Sequence, residues 1–130
     1  MEKSEFIDQM IGVPWVNRAC SFTECDCWGL IVLYYLHVMN IEIPVIDDYV
    51  NNSGFGKCFS IGIKRWEKVG SPSDGAMVAA YYGSKPIHVG VYIEGKVLHS
   101  RGELDAVRMD KLIIFERVYT KLEFYRYAEN

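Results

Sequence analysis

One run of apolar residues constrains the fold more than any other feature of the chain. Positions 27 to 39 read CWGLIVLYYLHVM, which is apolar on nearly every side of a helix and so predicts a buried central helix. Asp26 precedes the run and is predicted as the N-cap, because a carboxylate accepts the unpaired N–H groups of a first helical turn. Asn40 and Pro44 predict that the helix ends soon after the run.

The second half of the chain has the alternating pattern of β-strands. Three successive strands are predicted at AMVAAYY, IHVGVYI and KVLHS, and the tight turn Glu94-Gly95 joins the last two. Two further strands are predicted at KLIIFER and KLEFYRY. A central helix followed by a run of strands is typical of an α+β domain with helices on one face of an antiparallel sheet.

The remaining segments carry weaker signals. Residues 4–12 are predicted as a short amphipathic helix and 13–24 as a loop. The Asn- and Gly-rich residues 47–62 are expected to be irregular with a little helix, whereas 63–69 fit either a short helix or a strand. No repeat or linker is visible, so residues 1–130 are predicted to form one domain.

Composition and charge exclude some classes of partner. Half of the 130 residues are hydrophobic, and 14 Lys and Arg against 17 Asp and Glu leave a net charge of −3 without a long basic run, which argues against a nucleic-acid partner. The longest apolar stretch is shorter than the roughly 20 residues that span a bilayer. The N-terminus lacks the pattern of a secretory signal. We therefore expect a soluble protein that is made in the cytoplasm and does not insert into membranes.

Cys27 stands out among four cysteines, which also include Cys20, Cys25 and Cys58. Their spacing lacks the paired C-x2-C knuckles of structural zinc sites, and no secretory signal supports a disulfide framework, so free thiols are expected. Cys27 falls in the first turn of the predicted helix, where unpaired N–H groups and the helix dipole favour a thiolate with a lowered pKa. The alternative is a small buried hydrophobic residue.

Two histidines are predicted to meet on neighbouring strands. Alternation places His88 and Gly90 on one face of their strand, and Gly90 leaves space beside the imidazole for another chain or a substrate. The register that follows from the Glu94-Gly95 turn places His99 diagonally across from His88. One imidazole can then act as a base and the other can orient it, as in a nucleophile–base–orienter triad. The alternative is two structural sheet histidines, and His37 in the predicted helix is read as structural.

The order of several motifs resembles the NlpC family of papain-like cell-wall peptidases. The matching strings are DCWGL at 26–30, HVGVY at 88–92 and VLHS at 97–100, together with GVPW at 12–15 and SPSDGAMV at 71–78. The resemblance spans about residues 10–105. It implies a papain-like fold in which the helix that carries the nucleophile packs on an antiparallel sheet.

The resemblance also implies an activity and the residues that perform it. Cys27 would be the nucleophile, His88 the general base and acid, and His99 the orienting residue, while the backbone N–H of Cys27 contributes to an oxyanion hole. Members of this family cleave amide bonds in peptidoglycan stem peptides, and they use no metal and no cofactor.

Departures from the family pattern concern substrate binding. Trp15 stands where many members have a tyrosine, and Trp28 follows the nucleophile where a serine is common. Both are predicted substrate contacts, and so is Asp26 if it faces the amino end of the substrate. The P-W and D-C-W-G variants resemble bacteriophage and prophage tail proteins of the family, which implies a place in the virion tail beside other tail proteins. Two alternatives stay open: an inactive structural tail module of the same fold, and a hydrolase of another amide or ester.

Overall fold

The computed structural model of the chain describes residues 1–44, 55–102 and 104–128. Its helices are α1 (Lys3–Met10), α2 (Cys27–His37), α3 (Phe55–Gly62) and α4 (Leu112–Val118), with a 3-10 turn at Ile63–Arg65. Its strands are β1 (Trp66–Val69), β2 (Met77–Tyr82), β3 (Lys85–Ile93), β4 (Lys96–Ser100), β5 (Val107–Lys111) and β6 (Lys121–Tyr127). The prediction for residues 47–62 lies partly outside the described residues; its described end is helix α3.

The described strands form one antiparallel sheet in the order β1-β6-β2-β3-β4-β5. The register between β3 and β4 pairs Val91 with Leu98 and Ile93 with Lys96, as the position of the turn predicted. Glu94 and Gly95 have φ values of 49° and 83°. Positive φ at both central residues is what the tight hairpin turn of type I′ requires, so this short turn sets the register.

Helix α2 is the buried centre of the fold, as its apolar run predicted. It begins directly after Asp26, and Asn40 adopts the left-handed conformation with a φ of 58° soon after its end. The helix packs on β3 and β4, with most of its residues buried. Among the described residues, no helix is long and apolar enough to cross a membrane.

The sheet is covered on both faces, which corrects the expectation of helices on one face only. The α2 face holds the main core, including Met77, Val89 and Val91. A smaller cluster lies on the opposite face, where Phe115 of α4 packs with three sheet residues, Val78, Ala80 and Val97. The fold is nevertheless the papain-like α+β arrangement that was expected.

The segment KLIIFER was predicted as a strand, and this prediction is wrong. Residues 112–118 form helix α4, because Leu112, Phe115 and Tyr119 recur at three- and four-residue intervals and thus share one helical face. Strand β5, just before α4, was not predicted at all. The segment 63–69, for which helix and strand were both open, contains both: a 3-10 turn and then β1.

Candidate active site

The start of α2 is held in place by the side chain of Asp26. One carboxylate oxygen accepts the N–H of Gly29 at 2.7 Å, and the other accepts the N–H of Arg18 at 2.9 Å. The first bond is the predicted N-cap. The second ties the preceding loop to the helix, so that Asp26 fixes both segments that flank the first helical residue, Cys27.

Gly29 is required where this loop crosses the helix. A side chain at Gly29 would collide with the backbone carbonyl of Ala19, whose oxygen accepts the N–H of Asp26 at 3.1 Å. A fixed backbone atom cannot move aside as a flexible side chain can. The glycine of the D-C-W-G motif therefore allows the loop to pass close to the residue that follows the cap.

The thiol of Cys27 lies against the backbone of β3, where its sulfur accepts the N–H of Val89. Tyr92 exchanges two backbone hydrogen bonds with the segment that leads into β2. Strand alternation therefore turns the backbone groups of Val89 to the opposite side, toward β4. The ladder between these strands joins Val91–Ile93 to Lys96–Leu98 and ends before Val89. The sulfur of Cys27, the first residue of α2, therefore accepts a backbone N–H of Val89 that lies beyond the β3–β4 ladder.

The structure brings the two predicted histidines together next to this contact. His88 precedes Val89, and its Nε2 lies 2.8 Å from Nδ1 of His99, on the diagonal that the register predicted. A side chain at Gly90 would approach Cβ of His99 to 3.0 Å. The space beside the imidazole that Gly90 was predicted to leave is therefore filled by β4.

A third polar residue continues the chain of hydrogen bonds. Nε2 of His99 lies 2.7 Å from Oδ2 of Asp110 on β5, and Arg108 forms an ion pair with the same carboxylate. Sequence reasoning missed Asp110 because β5 was not predicted. The available signal was the short alternation of Val107 and Met109 with two charged residues. Among the residues that the structure describes, no group of three or more His, Cys, Asp or Glu side chains is arranged to hold a metal ion.

Two aromatic side chains from the α4 region cover the histidines. Phe115 lies 6.0 Å from the ring of His88 and 4.7 Å from that of His99, measured between ring centroids. Tyr119 stacks on His88 at 6.3 Å. Burial chiefly raises the pKa of Tyr119, and the nearby Cys27 thiol adds to this shift. Tyr119 therefore contacts the ring of His88 and lies close enough to Cys27 for the charge of the thiolate to affect its pKa.

Burial decides the protonation states of this pair. Cys27 is 8% exposed and His88 is 5% exposed. Burial, and secondly the charge of Asp26, raises the pKa of Cys27 to about 12 despite the backbone N–H groups near its sulfur. Burial also lowers the pKa of His88 to about 3. The prediction of a lowered thiol pKa is thus wrong for this closed arrangement, in which the thiol and the imidazole are both neutral at pH 7.

For His99 and Asp110, burial and the neighbouring charges act on the pKa in opposite directions. Burial lowers the pKa of His99, and the hydrogen bond to Asp110 opposes the change. Burial acts to raise the pKa of Asp110, but His99 and Arg108 outweigh it and hold the pKa of this carboxyl below its usual value. At neutral pH the carboxylate is therefore ionised and the imidazole beside it is neutral.

The three predicted substrate contacts lie in different surroundings. Trp28 is buried in the main core, where its ring packs edge-on against Trp66, so it does not line an open surface. Asp26 is buried and caps the helix. Trp15 is half-buried and bridges to Cys25, two residues before the thiol. Trp15 is thus the most exposed of the three, and all three stay predicted substrate contacts. His37 packs against an aromatic ring at the far end of α2, as a structural residue would.

Comparison with known proteins identifies related sequences and folds. The model of the NlpC/P60 family matches residues 12–122. No curated protein matches the chain. The crystal structure of the NlpC/p60 domain of the peptidoglycan hydrolase SagA is similar, with a TM-score of 0.61 and 18% identity, over 94% of this chain and 92% of that one.

Two longer proteins share the fold. NlpC2 from Trichomonas vaginalis has a TM-score of 0.64 at 17% identity and covers 96% of this chain and 45% of its own. An NLP/P60-family protein from Staphylococcus aureus, described as similar to lipoprotein, has a TM-score of 0.64 at 18% identity, over 98% of this chain and 40% of its own. The chain thus spans less than half the length of these two proteins, and at such identities the likeness concerns the fold.

Proposed function

The chain belongs to the NlpC/P60 family, and on that premise we propose that it is a cell-wall hydrolase that cleaves amide bonds in peptidoglycan stem peptides. Cys27 is the nucleophile, His88 the general base and acid, and His99 the residue that orients His88. The substrate class is supported by the family and by the similarity to a domain of a peptidoglycan hydrolase over nearly the full length of both chains.

The observation that carries the proposal is the junction of α2 with β3. The thiol of Cys27 accepts the N–H of Val89, and His88, the next residue along β3, forms the hydrogen bond with His99. A nucleophile at a helix N-terminus, a base beside it and an orienter behind the base are the parts that acyl transfer through sulfur requires.

The reaction proceeds through an acyl-enzyme. The Cys27 sulfur bonds to the carbonyl carbon while its proton passes to the ring nitrogen of His88 that does not contact His99. His88 then gives this proton to the leaving amine as the C–N bond breaks. In the second half, His88 takes a proton from water, the hydroxyl attacks the thioester, and the proton returns to the sulfur. The N–H groups at the start of α2 stabilise the negative oxygen that develops in both halves.

Neutral resting groups shape the first step. Because the thiol and the imidazole are both desolvated, a separated thiolate–imidazolium pair is costly before the substrate arrives. Proton transfer from Cys27 therefore accompanies the attack on the carbonyl, because the new S–C bond neutralises the negative charge that develops on sulfur. Trp15, on the loop that bridges to Cys25, is proposed to contact the substrate beside the thiol.

The proposal is tested by replacing the nucleophile. Cys27→Ala should abolish the cleavage of defined muropeptides, with products read by mass spectrometry, because the thioester forms on the Cys27 sulfur. Cys20→Ala is the matched control, since Cys20 is also a free thiol but is exposed. Undiminished cleavage by folded Cys27→Ala protein would refute the mechanism.

A second candidate function is an inactive or weakly active structural module of the same fold. The specific observation in its favour is the burial of both reactive side chains, Cys27 at 8% and His88 at 5% exposure. Folded wild-type protein that cleaves neither muropeptides nor a panel of other amides and esters would support this candidate. Cleavage within the panel alone would instead identify a different amide or ester as the substrate.

A place in a phage or prophage tail is proposed on the motif resemblance alone. It predicts that the protein is found by mass spectrometry in purified particles, together with other tail proteins. Particles that lack it would contradict this location without affecting the proposed chemistry.

A further inference from the structure

Three polar side chains form a line across three neighbouring strands. They are His88 on β3, His99 on β4 and Asp110 on β5, spaced eleven residues apart in the chain. His88 lies 2.8 Å from His99, and His99 lies 2.7 Å from Asp110. The strand β4 faces both of its partners in antiparallel register, so these residues are diagonal neighbours on one face of the sheet. The first two belong to the proposed triad; Asp110 does not.

The chemistry of the three groups fixes where the ring protons sit. An ionised carboxylate has no proton to donate, so the contact between Oδ2 of Asp110 and Nε2 of His99 requires a proton on that nitrogen. A neutral His99 then has a bare Nδ1, which can only accept. The contact at 2.8 Å between this nitrogen and Nε2 of His88 therefore requires the proton on His88 Nε2. A neutral His88 is left with a bare Nδ1.

We propose that Asp110 is a positioning residue that sets the tautomers of both histidines and so leaves Nδ1 of His88 as the nitrogen that receives the Cys27 proton. The catalytic consequence rests on the proposed function, whereas the position of the ring protons does not. Without Asp110, a neutral His99 could carry its proton on either nitrogen. A fraction of the protein molecules would then present an Nδ1 of His88 that is already protonated.

The surroundings of Asp110 suit this role. Arg108 holds the carboxylate with two contacts, at 2.9 Å from Nε to Oδ2 and at 3.2 Å from Nη2 to Oδ1. The side chain of Asp110 is 19% exposed and that of His99 only 2%, so bulk water has little access to the nitrogens of the His99 ring. Phe115 packs on both imidazole rings and limits their rotation.

The first measurement locates the ring protons directly. Nitrogen NMR of the wild-type protein labelled in its histidines should show, near pH 7, protonated Nε2 and bare Nδ1 on both His88 and His99. In Asp110→Ala the two rings should become tautomer mixtures. A proton on Nδ1 of His88 in the wild type would overturn the proposal whether or not any variant folds, and so would unchanged spectra in Asp110→Ala.

A matched control separates positioning from stability. Glu123 on β6 is also a partly buried carboxylate, with 15% of its side chain exposed, and it accepts hydrogen bonds from Tyr81 and Tyr125. Glu123→Ala should lower the stability as Asp110→Ala does but leave the histidine nitrogen spectra as in the wild type. Altered tautomers in Glu123→Ala would show that any loosening of the sheet moves these protons, which contradicts a specific role for Asp110.

A double-mutant cycle tests the catalytic consequence. Asp110→Ala should lower kcat roughly 10- to 100-fold, less than the loss when a directly orienting aspartate of a triad is changed. In a His99→Asn background, the amide oxygen can itself accept the His88 proton, so Asp110→Ala should have no further effect. Equal losses in both backgrounds would show that Asp110 acts only on the fold. Wild-type protein with the expected tautomers but no hydrolysis would refute the proposed function and leave the proton assignment standing.

Discussion

The sulfur of Cys27 is near three backbone N–H groups, those of Val89, Trp28 and its own residue, yet the thiol keeps its proton at neutral pH. Burial destabilises the thiolate more than these N–H groups stabilise it, and the negative charge of Asp26 destabilises it further. The same residue that caps α2 therefore disfavours the ionised nucleophile. This conflict between helix stability and thiol activation is local to two adjacent side chains.

Asp26→Asn should make Cys27 more reactive while it weakens the cap. Removal of the negative charge lowers the pKa of the thiol, so alkylation by iodoacetamide at pH 8 should become several-fold faster, up to about tenfold. Mass spectrometry of the Cys27 peptide keeps the other thiols out of the measurement. Glu24→Gln is the control, because Glu24 is an exposed carboxylate of the same loop. An unchanged rate in Asp26→Asn would show that its charge does not act on the sulfur.

The elements around the site are joined by close backbone contacts. The loop before α2 crosses the first helical turn at Gly29, and β4 lies against β3 at Gly90. In both places a missing side chain lets one element approach another. These two contacts hold the thiol and the orienting histidine against the strand that carries His88.

Gly29→Ala should destabilise the protein, although alanine is the better helix former by about 1 kcal/mol. The added methyl group meets the carbonyl of Ala19, and such overpacking typically costs about 1–3 kcal/mol. Urea unfolding measures the change. Gly70→Ala is the control, since a Cβ at Gly70 meets no atom within 4 Å. Equal stability of the two variants would mean that the loop can move away from the helix.

On the scale of the whole molecule, the site lies where the two layers that cover the sheet meet. The thiol comes from α2 on one face, whereas the histidines share the other face with Phe115 of α4. The Cys27 sulfur accepts the N–H of Val89 just beyond the end of the β3–β4 ladder. Because both layers bury the reactive side chains, the protonation state of the site depends on the integrity of the entire fold.

Stability should therefore fall as the solution is acidified through the range in which an exposed histidine titrates. Burial lowers the pKa of His88 to about 3, whereas the unfolded chain binds this proton near 6.5. Between these values the unfolded state holds more protons, so the free energy of unfolding decreases as the pH falls. From pH 7 to pH 5 the loss due to His88 should be about 2 kcal/mol.

Denaturant unfolding at several pH values measures this linkage. His88→Gln should show a flatter dependence between pH 7 and pH 5 than the wild type, although its stability at pH 7 is lower. Cys27→Ala is the matched control because it alters the same buried pair and keeps the imidazole. A slope in His88→Gln as steep as that of the wild type would show that other groups carry the acid sensitivity.

The features that the residue pattern predicted are those that depend on near neighbours in the chain. Asp26 caps α2 through an N–H three residues away, and the turn at Glu94-Gly95 determines the register that brings His88 and His99 together. The motifs around these residues also predicted the family, which the match over residues 12–122 confirms. The catalytic roles of the residues stay predictions.

Tertiary packing alone decided the rest. The four apolar residues 112–115 fit a strand or a helix, and the contact of Phe115 with the histidines on the far face selects the helix. Asp110 joins the site because β5 pairs with β4, a contact between segments that no local pattern links. The neutral state of Cys27 depends on how much water all surrounding elements exclude. Local rules act between neighbours along the chain, whereas desolvation and pairing across the sheet are properties of the assembled fold.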